Sequence, residues 1–157
     1  MPRARSFGVA LLVVGLALIG AGCGSSSKSG SSSGGSEVTL TLTDYAMKAD
    51  PTSVKAGDVN ITAVNDGKLT HEVVVVRADA VSALPKKSDG SVNEEKIAES
   101  DKQGEIEDVT AGTTLSKTMA LKAGSYVIFC NVVDGQAPNT ISHFQKGMST
   151  QLTVTVS

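Results

Sequence analysis

Four side chains of this 157-residue chain carry the donor atoms of a soft metal site. His71 and His143 are its only two histidines, Cys130 lies between them, and Met148 follows His143 by five positions. Together they offer two imidazoles, a thiolate and a thioether, the donor set of blue-copper electron-transfer sites. Each residue alone is more often a packing or surface residue. The four in this order predict a copper site.

The surrounding elements can bring these donors to one end of a β-domain. His71 follows a turn at Asn65-Asp66-Gly67 and opens a β-branched strand, while Cys130 ends an apolar strand. His143 and Met148 lie in the loop that follows, so one loop could wrap an end of the domain around the metal. Three strand patterns flank the four residues: 72–77, 125–131 and 150–156.

Alternating apolar and polar residues predict short strands throughout 37–157. The run from Glu37 to Thr43 alternates strictly, and Val59 to Val64 alternates again. About seven such strands, separated by Gly and Asp turns and without helical periodicity, indicate an all-β, antiparallel β-sandwich. The expected inward residues are Val38, Leu40, Leu42, Val59, Ile61 and Ala63.

The segment from Ala78 to Ala111 departs from this pattern. It contains Pro85 and a stretch, 94–108, with seven acidic residues and two lysines. Asn93 could cap a short helix over 94–100. We expect a short helical or irregular, solvated insertion, because the segment has too few apolar residues for a second core. The acidic stretch could steer a docking partner, but an ordinary solvated surface is the preferred interpretation.

Several motifs resemble those of the cupredoxins, the plastocyanin- and azurin-like blue copper proteins. They are Asn65-Asp66-Gly67 with His71, the strand 126–132 ending around Cys130, and His143-x4-Met148. The resemblance covers most of 37–157, apart from 78–111, and implies a Greek-key sandwich with one type 1 copper. By this resemblance His71, Cys130 and His143 are equatorial ligands and Met148 is the axial ligand.

One spacing departs from that family. Between Cys130 and His143 this chain has 12 residues, 131–142, where plastocyanin-like members have only a few. The extra residues could bulge outward as part of a docking surface or make the metal site more open to exchange.

The N-terminal residues are typical of an export signal. Arg3 and Arg5 precede an apolar or glycine run, 7–19, whose 13 residues are fewer than the roughly 20 that a membrane-spanning helix needs. Gly20-Ala21-Gly22 before Cys23 resembles a bacterial lipobox, which implies that Cys23 is lipidated and anchors the mature chain. A plain secretory signal cut near Ala21 is the alternative, since Gly20 replaces the usual aliphatic residue.

These boundaries give three segments: a signal peptide over 1–22, a Ser/Gly-rich tether over 23–36, and a metal-binding domain over 37–157. The predicted location is therefore the cell membrane, lipid-anchored on its extracytoplasmic face. With Cys23 lipidated, Cys130 would be the one remaining thiol, and an exported lone thiol calls for burial, a metal or reactivity.

Composition excludes some partners. All 16 acidic residues lie at or after Glu37, with 11 of the 14 basic ones, so the domain has a formal net charge of −5. That charge argues against nucleic acid, which needs a basic face. Nothing suggests an obligate oligomer, so we expect a monomer with redox partners that the sequence does not name.

Four functions stay open at this point. The leading one is a single-electron carrier, not an enzyme, with electrons passing through His143 to partners outside the cytoplasmic membrane. The second is a copper protein for storage, delivery or tolerance. The third is a thiol enzyme with Cys130 as nucleophile, although no oxyanion hole is evident. The last is a metal-free adhesion or scaffold module.

Overall fold

The computed structural model describes residues 35–156. They form short strands and two single-turn 3-10 helices. The strands are β1 (Ser36–Thr43), β2 (Ala46–Asp50), β3 (Ser53–Lys55), β4 (Gly57–Asn65), β5 (His71–Arg77), β6 (Lys102–Val109), β7 (Thr114–Leu121), β8 (Gly124–Phe129), β9 (Val133–Asp134), β10 (Ile141–Ser142) and β11 (Ser149–Thr155). The 3-10 helices span Val81–Ala83 and Glu94–Lys96.

Two sheets pack face to face, as the alternating strands predicted. One has the strand order β2-β1-β4-β7, and the other has the order β3-β11-β8-β5-β6. Most neighbours are antiparallel, but β1 pairs with β4, and β3 with β11, in parallel. The prediction of a β-sandwich is confirmed.

The core lies between the sheets and contains the predicted inward residues. Leu40, Leu42, Val59, Ile61 and Ala63 are fully buried, and Val38 is almost so. Strict alternation produced this result because side chains at every second position of a strand point to the same face.

Strand β5 is buried on both faces, which explains its unbroken run of valines. Val73 and Val75 belong to the core between the sheets. Val74 and Val76 face outward, into a second apolar cluster that the segment after β5 covers. The members of this outer cluster are Val74, Val76, Leu84, Val92, Val127, Phe129 and Phe144.

The segment 78–111 is an insertion with little helix, as expected, but two details of the prediction were wrong. It contributes Leu84 and Val92 to the outer cluster, and it contains β6, an edge strand of the larger sheet. Strand β6 lies at the edge of the sheet and consists mostly of polar and charged residues. Its sequence therefore shows little apolar alternation, and the strand was missed.

The prediction of a helix over 94–100 was also wrong. Only Glu94–Lys96 is helical, and the Asn93 side chain makes no capping hydrogen bond. Ile97 is extended and packs against the outer cluster, so the chain leaves the helix to bury this side chain.

The two ends of the sandwich have different roles. β1 begins at Ser36, whose hydroxyl donates to the carbonyl of Lys55, and its last residues pair with the end of β4 at Asn65. Asn65 precedes His71, and β8 ends just before Cys130. The chain therefore enters the sandwich at one end, and the predicted ligands lie at the other, which we call the metal pole.

Candidate metal centre

Three of the four predicted ligands meet at the metal pole. The Nδ1 atoms of His71 and His143 are 3.1 Å apart, and Sγ of Cys130 lies 3.8 Å from the first and 3.4 Å from the second. All three residues are fully buried. Within residues 35–156, no other group of three His, Cys, Asp or Glu side chains is clustered tightly enough to hold a metal ion.

The size of this triangle fits a first-row metal ion. A point at its centre lies about 2 Å from each of the three atoms, close to the bond lengths of metal ions to imidazole nitrogen and thiolate sulfur. Two nitrogens and one sulfur in a trigonal array favour copper among the common metals. The donor atoms are thus arranged to receive an ion without rearrangement of the strands.

Met148 is held beside Cys130 and His143 through its backbone. Its N–H donates to the carbonyl of His143, and its carbonyl accepts a bond from the N–H of Cys130, both at 3.1 Å. Its side chain is fully buried in the core cluster that also contains Cys130. The backbone of Met148 is therefore fixed next to two of the other predicted ligands.

His71 is positioned by a buried asparagine in the turn that precedes it. The Asn65 amide donates to the carbonyls of Leu69 and Val109 and accepts from the N–H of Gly67. A Cβ atom at Gly67 would lie 2.6 Å from the Asp44 carboxylate, so this position needs glycine. The turn carries the chain from one sheet to the other.

Burial governs the ionisation of His71. It lowers the pKa of this imidazole, and repulsion from His143 lowers it further, against the attraction of Asp44 and Asp134. The neutral imidazole, which is the form that binds a metal, is therefore favoured.

Cys130 is a buried thiol that receives hydrogen bonds from the backbone. The N–H of Glu72 donates to Sγ at 3.5 Å. Burial raises the pKa of the Cys130 thiol to about 11, although this N–H and a bond from Val132 oppose the rise. Nucleophilic cysteines have a lowered pKa, whereas the pKa of Cys130 is raised. A metal ion would have to displace the thiol proton.

His143 is enclosed on all sides. Its Nε2 lies 2.7 Å from a carboxylate oxygen of Asp134, and its ring makes edge contacts with the rings of Tyr45 and His71, each with centroids 5.1 Å apart. Tyr45 occupies the β1–β2 turn with φ of 65°, a left-handed conformation that is uncommon for a bulky residue. The His143 ring has no exposed surface, whereas Tyr45 is half-buried.

Sequence reasoning did not find Asp134, Tyr45 or Asn65 as site residues. Asn65 lies in the turn that was singled out, and Asp134 lies in the unusually long loop, but neither position alone pointed to a contact. The predicted anchor, Cys23, falls outside the described residues, as do the signal segment and most of the tether. Among the residues described, no helix is long and apolar enough to cross a membrane.

Comparisons with known proteins identify the fold. No family model and no curated protein matches the chain. Solved structures do match, and the reduced auracyanin of Roseiflexus castenholzii is 19% identical, with a TM-score of 0.53 over 76% of this chain and 96% of that one. The fold is that of the cupredoxins.

Two further matches agree. Auracyanin A of Chloroflexus aurantiacus, described as a "blue" copper protein, is 20% identical, with a TM-score of 0.50 over 77% of this chain and 99% of that one. Rusticyanin of Thiobacillus ferrooxidans is 14% identical, with a TM-score of 0.52 over 76% and 77%. With a cupredoxin fold, the arrangement of His71, Cys130, His143 and Met148 supports one type 1 copper ion.

Proposed function

We propose that this protein is a type 1 copper protein that carries single electrons between redox partners at the outer face of the cytoplasmic membrane. His71, Cys130 and His143 would be the equatorial ligands, and Met148 the axial ligand. The observation that carries the proposal is the closed triangle of two Nδ1 atoms and one Sγ atom, with sides of 3.1, 3.4 and 3.8 Å.

The chemistry follows from this preformed site. A bound copper ion supplies a one-electron couple, and the residues around it determine how little must move when that couple changes state. His71 and Cys130 are held by strands, and His143 is held by side-chain contacts. A soft sulfur and two imidazoles suit both oxidation states, so a fixed compromise geometry serves electron transfer.

The enclosure of the site favours an electron carrier over a copper store. The loop 131–142 does not leave the ligands open, since β9 and β10 pair within it and His143 is fully buried. Tyr45 is in contact with His143 and partly exposed, so it offers a short path from the ligand to the surface. An ion in this site would exchange slowly but could pass electrons.

The location at the membrane is the part of the proposal that comes from the sequence. The residues around Cys23 predict export and lipidation. The position of Ser36 is compatible with them, because the chain enters the sandwich at the end opposite the metal pole. A tether attached there would leave the metal pole free to meet a partner.

The decisive experiment is copper loading of a protein that starts at Gly24 and keeps every described residue. We expect an intense blue absorption band, its loss in Cys130→Ser, and reversible reduction and re-oxidation by voltammetry. Circular dichroism of the metal-free variant would show that its fold is intact. Tight binding without the blue band, with copper passed readily to a chelator, would instead support storage or delivery. No binding by the wild type would overturn the proposal.

Lipidation of Cys23 would be tested separately, in a bacterial host with a lipoprotein-processing system. The full chain should partition with membranes, and Cys23→Ala should not acquire lipid. Recovery of unlipidated wild-type protein, cut near Ala21, would contradict the anchor without affecting the copper site.

A further inference from the structure

The two histidines of the site differ in what their second ring nitrogen touches. Nε2 of His71 is buried and has no hydrogen-bond partner among the described residues. Nε2 of His143 lies 2.7 Å from Oδ2 of Asp134. The Asp134 side chain is 40% exposed, whereas that of His143 is completely buried. A carboxylate that reaches from the surface to a buried imidazole implies a specific role.

The long loop is built to make this contact. Asp134 pairs with Ile141 in the β9–β10 hairpin, which brings the start of the loop back beside His143. Gly135, with φ of 83°, forms the turn, and a Cβ atom there would collide with the carbonyl of Asn139. A loop of only a few residues could not fold back in this way.

The contact selects one tautomer of His143. An ionised carboxylate accepts but cannot donate, so Nε2 of His143 must carry the proton. In the neutral ring Nδ1 then carries the lone pair, and this atom is one corner of the triangle formed with His71 and Cys130. Histidines that bind metals commonly donate their other N–H to a carboxylate, which fixes the ring and makes it a stronger donor.

We propose that Asp134 is a positioning residue that holds His143 in its metal-binding tautomer and makes the site favour Cu(II) over Cu(I). The second part of this inference rests on the proposed function. Its direction follows from charge, because a carboxylate beside a ligand stabilises the more positive ion. The reduction potential of the wild type is therefore lowered by Asp134.

Two variants separate the hydrogen bond from the charge. Asp134→Ala removes both, whereas the amide oxygen of Asp134→Asn can still accept from Nε2 of His143. Asp58→Asn is the matched control: it removes one exposed carboxylate near the start of β4, at the end of the sandwich remote from the metal pole. All would be made in the protein that starts at Gly24.

The first measurement needs no copper. ¹⁵N chemical shifts of the His143 ring in the metal-free protein should show protonation at Nε2 in the wild type, in Asp134→Asn and in Asp58→Asn. Asp134→Ala should show a mixture of tautomers. A wild-type ring protonated at Nδ1, or an unchanged ring in Asp134→Ala, would overturn the positioning role even if copper binds normally.

The second measurement compares affinities for Cu(II) and Cu(I) together with the potential. Loss of an outer-shell partner typically lowers metal affinity about 10- to 100-fold, and we expect the loss for Cu(II) in Asp134→Ala to exceed that for Cu(I) by about tenfold. That ratio corresponds to a rise in potential of about 59 mV for one electron.

The reduction potentials of the four proteins test the preference for Cu(II). Asp134→Asn should raise the potential while keeping the tautomer, and Asp58→Asn should leave the potential unchanged. A blue wild type whose potential is equal in all four proteins would refute the preference for Cu(II). Failure of the wild type to bind copper would refute the proposed function and that preference together, while the tautomer result would still decide the positioning role.

Discussion

The metal pole has two halves that are fixed in different ways. The sheet half consists of His71 and Cys130, and the loop half consists of His143 and Met148. His71 pairs with Val109 in the sheet, and Cys130 directly follows the end of β8. The loop half follows a segment with only two short paired strands, β9 and β10.

In the loop half, Met148 is held by backbone hydrogen bonds to Cys130 and His143, and side chains add to the bond that the His143 N–H makes to the carbonyl of Val132. Asp134 and Tyr45 contact the His143 ring, and the next residue, Phe144, packs its ring against that of Phe129 with centroids 5.5 Å apart. In the sheet half, the pairing of β5 with β6 and β8 and the hydrogen bonds of the Asn65 side chain position the ligands. The positions of His71 and Cys130 therefore depend mainly on sheet pairing, whereas the His143 ring depends on a few side-chain contacts.

The largest expected effect comes from Phe144, which holds the loop half against the outer cluster. Phe144→Ala should lower the free energy of unfolding of the metal-free protein by about 3–5 kcal/mol, since Phe144 is almost fully buried in the outer cluster. Chemical denaturation would measure this change. Ile141→Ala, in the same loop but 38% exposed, is the control and should change stability by less than about 1 kcal/mol. Equal losses in the two variants would mean that the outer cluster does not hold the loop.

In the sheet half, the Cys130 thiol should make copper binding depend on pH. The pKa of Cys130 is about 11 in the metal-free protein, so at pH 7 its thiol is protonated and must lose a proton to bind copper. The bound state thus carries one proton fewer, and affinity should rise about tenfold per pH unit from pH 7 toward 10. The lowered pKa of His71 keeps that imidazole neutral there, so it adds nothing to the slope.

Competition with a chelator of known pH dependence would measure this slope. Cys130→Ser should bind copper weakly and lose the slope that comes from the thiol. An affinity for copper in the wild type that does not vary over this range would contradict a buried, protonated thiol.

Much of this architecture could be predicted from the sequence because it depends on local pattern. Val38, Leu40 and Leu42 alternate with polar residues, and the structure buries them. The metal residues were recognisable because two histidines, one cysteine and one methionine are rare donors in a suggestive order. The structure brings His71, Cys130 and His143 together and holds Met148 beside them.

The rest depends on paths that local pattern does not encode. Asp134 is an ordinary loop aspartate until the β9–β10 hairpin turns it toward His143, and Tyr45 looks like a surface residue until its turn places it over the same ring. The strand β6 was missed because its only fully inward apolar residues are Ile106 and Val109. These contacts join residues far apart in the chain, and no periodicity announces them.

The smallest expected effect concerns Glu72, which links the two ligand segments of the sheet half. Its carboxylate accepts from the N–H of Asn131, and burial raises its pKa, opposed by that bond and reinforced by Glu94, Glu105 and Glu107. The folded state therefore holds the proton of Glu72 more tightly than the unfolded state. Wild-type stability should fall as pH rises from the ordinary pKa of a glutamate through the raised value.

Glu72→Gln keeps an oxygen that can accept from Asn131 and removes the charge. We expect it to gain a few tenths of a kcal/mol, roughly, at pH 7, because solvent screening of a half-buried carboxylate leaves only a small effect. The gain should vanish below the pKa of an ordinary glutamate, where the Glu72 carboxyl of the wild type is neutral in both the folded and the unfolded state. Thermal unfolding at both pH values, with the exposed Glu95→Gln as control, would measure it. A loss of stability at pH 7 would show that the charge of Glu72 is needed to hold Asn131, through a charge-assisted hydrogen bond that a neutral amide does not replace.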